Sequence, residues 1–183
     1  MADVSNRYRK VAGTFTERVE AVPDDRWGDP SPCEGWTARD VVRHNVDNSG
    51  LFLGFVGREV PPGPSVDDNP VGAWANARDA VQQALDDPAV AGAEFDGFTG
   101  RSTLAQGVDR FICNDLVVHT WDLARASGLD EGLDPDDVRA VAEGFHGFDE
   151  SMLRSPGVCA APVDVPDSAD DQTKLLAFLG RRA

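Results

Sequence analysis

The 183-residue sequence is 41% hydrophobic and 27% charged, a composition typical of a globular chain with one core, so we expect residues 1–183 to form a single domain. A formal net charge of −15, with no run of Lys or Arg to offset it, excludes nucleic acid and anionic membrane surfaces as the main partner. With no apolar run of about 18 residues, no secretory signal and three widely spaced cysteines, the sequence indicates a cytoplasmic protein with reduced thiols.

Apolar residues recur at spacings of three and four along most of the chain, which is typical of amphipathic helices. The pattern predicts helices over residues 4–21, 37–57, 71–85, 103–126, 135–153 and 169–179. A Pro- and Gly-rich loop at residues 27–36 separates the first two helices, residues 89–102 fit a loop or a short extended excursion, and residues 155–167 fit an irregular, strand-like crossing. We therefore expect an all-α fold, a four-helix bundle with additional C-terminal helices and a short irregular segment.

One segment of the fourth predicted helix carries charge in an apolar setting. Asp115, His119 and Asp122 stand at positions i, i+4 and i+7, so a helix projects all three from one face, among residues such as Leu116 and Trp121. Buried charge is costly unless it is paired or bound to a metal. The pattern therefore fits two interpretations: a buried Asp–His hydrogen bond that orders the helix, or half of a metal site that needs a third ligand.

His44 is the candidate for that third ligand. It lies on or beside the buried stripe of the second helix, and facing helices of a bundle can bring it to Asp115 and His119. Two imidazoles and a carboxylate suit Zn, Ni, Fe or Mn, with positions left for water or substrate. A lone histidine at such a position also occurs as a hydrogen-bonded core residue, so spacing alone leaves both interpretations open.

We expect Asp122 to hold a metal ligand in place and not to bind the metal itself, although a role as an additional ligand is the alternative. It lies three residues beyond His119 and can accept a hydrogen bond from that ring, or cap a loop. It can equally pair with Arg125 or Arg39. The remaining histidine, His146, lies on a weakly specified helix and is not assigned to the site.

Two longer motifs carry a family resemblance. The first is Pro-Cys-Glu-Gly-Trp-Thr-Ala-Arg-Asp-Val-Val-Arg-His at residues 32–44, and the second is Asp-x-x-x-His-x-x-Asp-Leu-Ala at residues 115–124. In combination they resemble the actinobacterial, mycothiol-dependent maleylpyruvate isomerase N-terminal-domain family, which belongs to the DinB-like metal-binding four-helix bundles. The ending Lys-Leu-Leu-Ala-Phe-Leu-Gly-Arg at residues 174–181 is similar to that of the shorter, single-domain members.

The resemblance implies a divalent metal, zinc foremost and nickel as the alternative, bound by His44, Asp115 and His119, with Asp122 in support. Relatives use the metal to activate a low-molecular-weight thiol such as mycothiol, because a cation lowers the pKa of a thiol. We therefore expect a metal-dependent thiol S-transferase whose partners are a small-molecule thiol and an unidentified electrophile, with its catalytic residues unknown. The alternative is a non-catalytic metal-binding or stress-associated helical bundle protein.

Two departures limit what the resemblance implies. The isomerase has Glu where this chain has Asp115, which is one methylene shorter, so we expect the ion to shift or to bind more weakly. The isomerase also carries a further C-terminal domain that a 183-residue chain is too short to include, so maleylpyruvate isomerisation is not the expected activity. A homodimer is compatible with such bundles, although the sequence establishes no dimer seam.

Overall fold

The chain is mostly helical, as its periodicity predicts. The structure, a computed structural model, describes residues 2–97, 100–145, 150–155 and 159–183. The first long helix, α1, spans Ala2–Ala21 and is followed by a short 3-10 turn at Asp24–Arg26. α2 spans Ala38–Phe55 and α3 spans Pro70–Asp86. The ends of all three helices agree with the predicted ends to within two residues.

A short antiparallel hairpin follows the small helix α4, Pro88–Ala91. Its strands are β1, Glu94–Gly97, and β2, Gly100–Thr103. Phe95 of β1 stacks on Phe55 of α2 with ring centroids 4.8 Å apart, so the hairpin packs against the end of α2. The prediction of an all-α fold was therefore incomplete. The sequence indicated a loop or a short extended excursion at residues 89–102, but not that two strands pair there.

The fourth predicted helix is a continuous helical run with three parts. α5 spans Leu104–Gly107, a π-helical turn spans Val108–Ile112, and α6 spans Cys113–Ser127. The periodicity did not predict the π-helical turn. The carbonyl of Arg110, within that turn, accepts a hydrogen bond from the side chain of Asn114 at 2.9 Å.

Gly128 ends α6 in the left-handed conformation, with φ of 71°, which is the stop that a glycine after an apolar helix indicates. α7 then spans Pro135–Phe145, α8 spans Glu150–Leu153 and α9 spans Asp171–Phe178. The two ends of the predicted fifth helix are therefore helical. Its middle, which includes His146, lies outside the described residues.

The long helices pack against one another around an apolar core. α1 contacts α3 and α6, and α2 contacts the same two helices, while α9 packs on α7. The largest fully buried side chains of this core include Trp74, Trp121, Tyr8 and Phe15. Within the described part of the chain, no helix combines the length and the apolar character that crossing a bilayer requires. The α2–α6 contact positions the site described next.

Candidate metal centre

Local sequence fixes the start of α2 and with it the position of His44. Thr37 Oγ1 accepts a hydrogen bond from the Asp40 backbone N–H at 3.3 Å, and Asp40 Oδ2 accepts one from the Thr37 N–H at 2.9 Å. This reciprocal capping box satisfies two backbone donors at the first turn. A bridge between Pro30 and Thr37 fixes the preceding loop. His44 follows Asp40 by one helical turn and faces α6.

α6 projects Asp115 and His119 toward α2, and Asp122 contacts the loop before α2 and the chain after α9. Burial increases along the helix, because the exposed fraction of the side chain is 37% for Asp115, 8% for His119 and 0% for Asp122. On α2, His44 is 29% exposed. The group is therefore open to solvent at the His44–Asp115 end and closed at the Asp122 end.

His44, Asp115 and His119 form a cluster in which one donor atom of each residue lies within 4.8 Å of the others. His44 Nε2 is 3.3 Å from Asp115 Oδ2. Four-coordinate zinc binds nitrogen and oxygen at about 2.0–2.1 Å, which sets its ligand atoms roughly 3.4 Å apart. Small side-chain rotations therefore suffice to place the three donors around one ion. The residues fit a divalent metal, and the exposed end leaves room for a further ligand.

Asn48, one turn after His44, contacts the two more exposed candidate ligands, His44 and Asp115. Its side-chain nitrogen lies 2.9 Å from His44 Nε2 and donates to Asp115 Oδ2 at 3.1 Å. The hydrogen bond to Asp115 uses a lone pair that would otherwise bind a cation, so a bound ion would take the place of this amide group. Sequence reasoning missed Asn48, although its i+4 spacing from His44 places it on the same face of the helix.

The orientation of His119 follows from Asp122. His119 Nδ1 lies 2.9 Å from Asp122 Oδ2. Burial raises the pKa of Asp122, but hydrogen bonds from His119 and Arg181 lower it to about 2, so the carboxylate is ionised. An ionised carboxylate only accepts hydrogen bonds, so His119 donates from Nδ1, and in the neutral ring this leaves the lone pair on Nε2. Carboxylates of this kind orient metal-binding imidazoles.

The cation beside Asp122 is Arg181, not the Arg125 or Arg39 that the sequence suggested. Arg181 Nε donates to Asp122 Oδ1 at 2.9 Å, and Arg181 Nη2 donates to Oδ2 at 2.7 Å. Arg125 pairs with Glu131 instead. Arg39 donates to two backbone carbonyls in the loop before α3. Of the alternatives that the sequence left open, the hydrogen bond with His119 forms and the pairings with Arg125 and Arg39 do not. Arg181 was missed because it is 59 residues from Asp122 in sequence.

A second cluster joins Cys33 to His119 and Asp122, again with donor atoms within 4.8 Å. Cys33 Sγ donates to Asp122 Oδ2 at 3.4 Å, and Arg181 Nη2 lies 3.4 Å from the sulfur. Burial and the Asp122 charge raise the pKa of Cys33 to about 12, so its sulfur is a thiol and not a metal-binding thiolate. Since Arg181 already neutralises Asp122, this cluster favours a hydrogen-bonded network over a cation.

Trp36 covers both histidines from the loop before α2. Its ring centroid is 4.9 Å from that of His44 and 5.9 Å from that of His119. The ring is half-buried, so it restricts access to the donors from one side. The sequence analysis identified this segment as a loop, but not that its Trp36 lies over the site.

Comparison with known proteins identifies the family of this chain. The family model described as Mycothiol maleylpyruvate isomerase N-terminal domain matches residues 8–124, more than half of the chain. The chain belongs to this family. The resemblance predicted from the two motifs is therefore confirmed.

Two relatives of the chain are uncharacterized proteins of Mycobacterium tuberculosis, one from strain CDC 1551 / Oshkosh and one from strain ATCC 25618 / H37Rv. Each is 27% identical over 178 residues, which cover 95% of this chain and 95% of the relative. No solved structure matches the chain significantly.

The maleylpyruvate isomerase N-terminal-domain match includes every site residue predicted from the sequence, but it ends before Arg181. The similar ending at residues 174–181 gave no indication of what Arg181 contacts. Helical spacing relates residues within one turn or two, so it cannot pair α6 with a residue beyond α9. Arg181 and Cys33 enter the site only through tertiary packing.

Proposed function

We propose that this chain binds one divalent metal through His44 Nε2, a carboxylate oxygen of Asp115 and His119 Nε2. We further propose that it uses the metal to transfer a low-molecular-weight thiol of the mycothiol type to an electrophile. The observation that carries the proposal is the convergence of one donor atom from each of these three residues within 4.8 Å, with the His119 ring already oriented by Asp122. Membership of a family named for mycothiol chemistry supports the choice of thiol.

Zinc is the first candidate for the metal. Two imidazoles and one carboxylate, with a remaining position open, form the ligand set of many catalytic zinc sites. Nickel also accepts imidazole ligands and is the alternative. When bound, such a cation lowers the pKa of a coordinated thiol and makes thiolate available near neutral pH.

Each residue of the proposed site has a separate role. His44 and His119 supply neutral donors from two different helices, and Asp115 supplies negative charge that partly compensates the cation. Asp122 keeps the Nε2 lone pair of His119 directed toward the other donors. Trp36 covers the imidazoles on one side, so a small thiol approaches from the exposed His44–Asp115 end.

We also propose that α1, α2, α3 and α6 are the four helices of a DinB-like bundle. Each of α1 and α2 packs against both α3 and α6, which is the contact pattern expected for such an arrangement. α7 to α9 are then the additional C-terminal helices. A cytoplasmic location and a homodimer stay predictions from the sequence.

Elemental analysis of the purified protein by plasma mass spectrometry tests the metal site. We expect near-stoichiometric zinc or nickel in the wild type and its loss in both His44→Ala and His119→Ala. Arg43→Gln is the matched control, because Arg43 precedes His44 but pairs with Asp67 on the surface, and it should retain the metal. A wild type that contains no metal and takes up no added zinc would contradict the proposal.

A thiol-conjugation assay tests the reaction separately from the metal. Zinc-loaded wild type is incubated with mycothiol and a panel of electrophiles, and we expect conjugate formation that His44→Ala loses and that added thiol does not restore. Metal binding with no turnover across the panel would reject the transferase and favour a non-catalytic metal-binding protein.

A further inference from the structure

Asp122 is the most buried charged group of the site, and Arg181 is the cation that neutralises it. The side chain of Asp122 is 0% exposed and that of Arg181 is 10% exposed. Three guanidinium contacts, at 2.7, 2.9 and 3.2 Å, hold both carboxylate oxygens in a fork. Oδ2 is the oxygen that also contacts His119 Nδ1, so one fixed carboxylate links the arginine to the imidazole.

The end of α9 directs Arg181 into this position. Gly180 has φ of 84°, its N–H donates to the Ala177 carbonyl at 3.0 Å, and the Arg181 N–H donates to the Leu176 carbonyl at 2.8 Å. This pair of hydrogen bonds is the Schellman motif, which reverses the chain at the end of a helix. A Cβ built on Gly180 would lie 2.6 Å from Ala160 Cβ, so both the conformation and the space at this position require glycine.

α9 itself is docked on the rest of the protein. Leu175, Leu176 and Leu179 are buried, and α9 packs on α7. Gln172 accepts a hydrogen bond from the Leu133 N–H at 2.9 Å. The Arg181 guanidinium is therefore carried by a packed element and not by an unattached loop.

We propose that Arg181 is a positioning residue of the metal centre: it fixes the Asp122 carboxylate, which in turn fixes the His119 ring with Nε2 toward His44 and Asp115. The inference rests on the metal site proposed above. It extends the site beyond the family-matched residues 8–124 and makes the docking of α9 a condition for tight metal binding. In the described part of the chain, the side-chain hydrogen bonds of Arg181 go to Asp122, Cys33 and a backbone carbonyl and not to a proposed metal ligand, so we assign its positioning effect to Asp122.

Two effects of Arg181 on a bound cation have opposite signs, which makes the test decisive. A nearby positive charge repels the cation, so removal of the charge alone would raise metal affinity. Loss of the fork releases Asp122 and with it His119, which lowers metal affinity, and outer-sphere changes of this kind cost about 10- to 100-fold. A fall in metal affinity when Arg181 is replaced would therefore indicate that Arg181 positions Asp122 and His119. A rise would indicate that Arg181 acts through its charge alone.

The experiment is a chelator-competition measurement of zinc affinity on folded variants. We expect Arg181→Gln to weaken zinc binding by about 10- to 100-fold, and Arg181→Lys, which keeps the charge but loses the planar fork, to weaken it as well. Arg182→Gln is the matched control, because it removes the same charge from an exposed neighbour, and it should bind zinc like the wild type. Unchanged or tighter binding in Arg181→Gln overturns the inference.

A double-mutant cycle separates positioning from general damage. If Arg181 acts through Asp122, then Arg181→Gln causes no further loss of zinc affinity in an Asp122→Asn background. A full additional loss in that background would show that the variant perturbs the fold, and it overturns the inference. If Arg181→Gln does not fold by circular dichroism, Arg181→Lys takes its place in the cycle.

A second readout needs no metal. In ¹⁵N-histidine NMR spectra of the metal-free protein, we expect a slowly exchanging Nδ1 proton on His119 in the wild type and in Arg182→Gln, and its loss in Arg181→Gln. If the wild type fails to bind zinc, the proposed function fails, while this comparison still decides whether Arg181 positions the His119 ring through Asp122. An unchanged Nδ1 proton in Arg181→Gln would overturn it.

Discussion

The centre of the α1–α3 interface is apolar, with the Arg9–Asp86 ion pair at its exposed edge, whereas the α2–α6 interface and the buried end beside it carry four ionisable side chains. In the first, the rings of Phe15 and Trp74 meet edge to face at 4.9 Å, and both are 0% exposed. Trp74 Nε1 donates to Thr16 Oγ1 at 2.9 Å, and the Tyr8 hydroxyl donates to the Arg78 carbonyl at 3.3 Å. The polar atoms of these aromatic side chains are thus satisfied by neutral partners.

In the α2–α6 interface, the donors of His44, Asp115 and His119 converge, and Asp122 is neutralised from a distant part of the chain. Hydrophobic burial stabilises a fold without constraining its chemistry, whereas converging imidazoles and carboxylates add little stability to a metal-free protein. We therefore expect substitutions at the first interface to change the free energy of unfolding, and those at the second to change metal affinity.

The largest expected effect is at the apolar interface. Phe15→Ala should lower the free energy of unfolding by about 3–5 kcal/mol, because it leaves a cavity beside Trp74 in a fully buried position. Urea denaturation of the metal-free protein measures the change. The folded variant should take up zinc with the wild-type stoichiometry. A destabilisation of less than about 1 kcal/mol would contradict the proposed difference between the two interfaces. A folded variant that binds no zinc would contradict it as well.

Zinc itself should stabilise the protein through the α2–α6 interface. At a free zinc concentration one hundred times the Kd, binding to the folded state alone adds about 2.7 kcal/mol to the free energy of unfolding. Wild type and Phe15→Ala should gain this amount, and His44→Ala should gain none. Parallel denaturation curves with and without zinc measure it. An equal gain in His44→Ala would place the zinc elsewhere.

A smaller effect is expected when the length of the carboxylate ligand changes. Asp115→Glu keeps the charge and adds one methylene, so zinc affinity should stay within about tenfold of the wild type, or 1.4 kcal/mol. Asp115→Asn removes the charge and should weaken binding more strongly. Zinc titration against a chromophoric chelator compares the two. Equal affinities for the two variants would indicate that Asp115 is not a ligand.

The smallest expected effect concerns the cap of α2. Hydrogen bonds from Thr37 lower the pKa of Asp40 from its ordinary value of 3.8. The resulting stabilisation is complete above pH 3.8 and is lost as the pH falls through the lower pKa of the folded state. Its size is on the order of 0.5 kcal/mol, because Asp40 is 37% exposed and solvent screens the interaction.

Denaturation of wild type and Asp40→Asn across this acidic range measures the contribution of Asp40. The variant should lack this part of the pH dependence, so the difference in stability between the two proteins should shrink as the pH falls. A stability difference that grows on acidification would contradict the predicted direction of this pH dependence.

Sequence by itself determined the local features of this protein. The three- and four-residue spacing of apolar side chains predicted α1, α2 and α3 to within two residues, because an amphipathic face is a local property of the helix. The i, i+4, i+7 pattern placed Asp115, His119 and Asp122 on one face, and two specific motifs identified the family. His44 was selected by its position on a facing helix, and the fold brings it to 3.3 Å from Asp115.

Tertiary structure alone decided which distant groups complete the site. The Arg181–Asp122 pair and the Cys33–Asp122 contact span 59 and 89 residues, and no helical period relates such positions. The π-helical turn and the β1–β2 pairing were equally hidden from periodicity, because both depend on contacts with neighbouring elements. Burial of a charge such as that of Asp122 requires a partner, but the sequence does not say which of 17 Lys and Arg residues supplies it. Packing selects that residue, because only the folded chain fixes which cation reaches the closed end of the site.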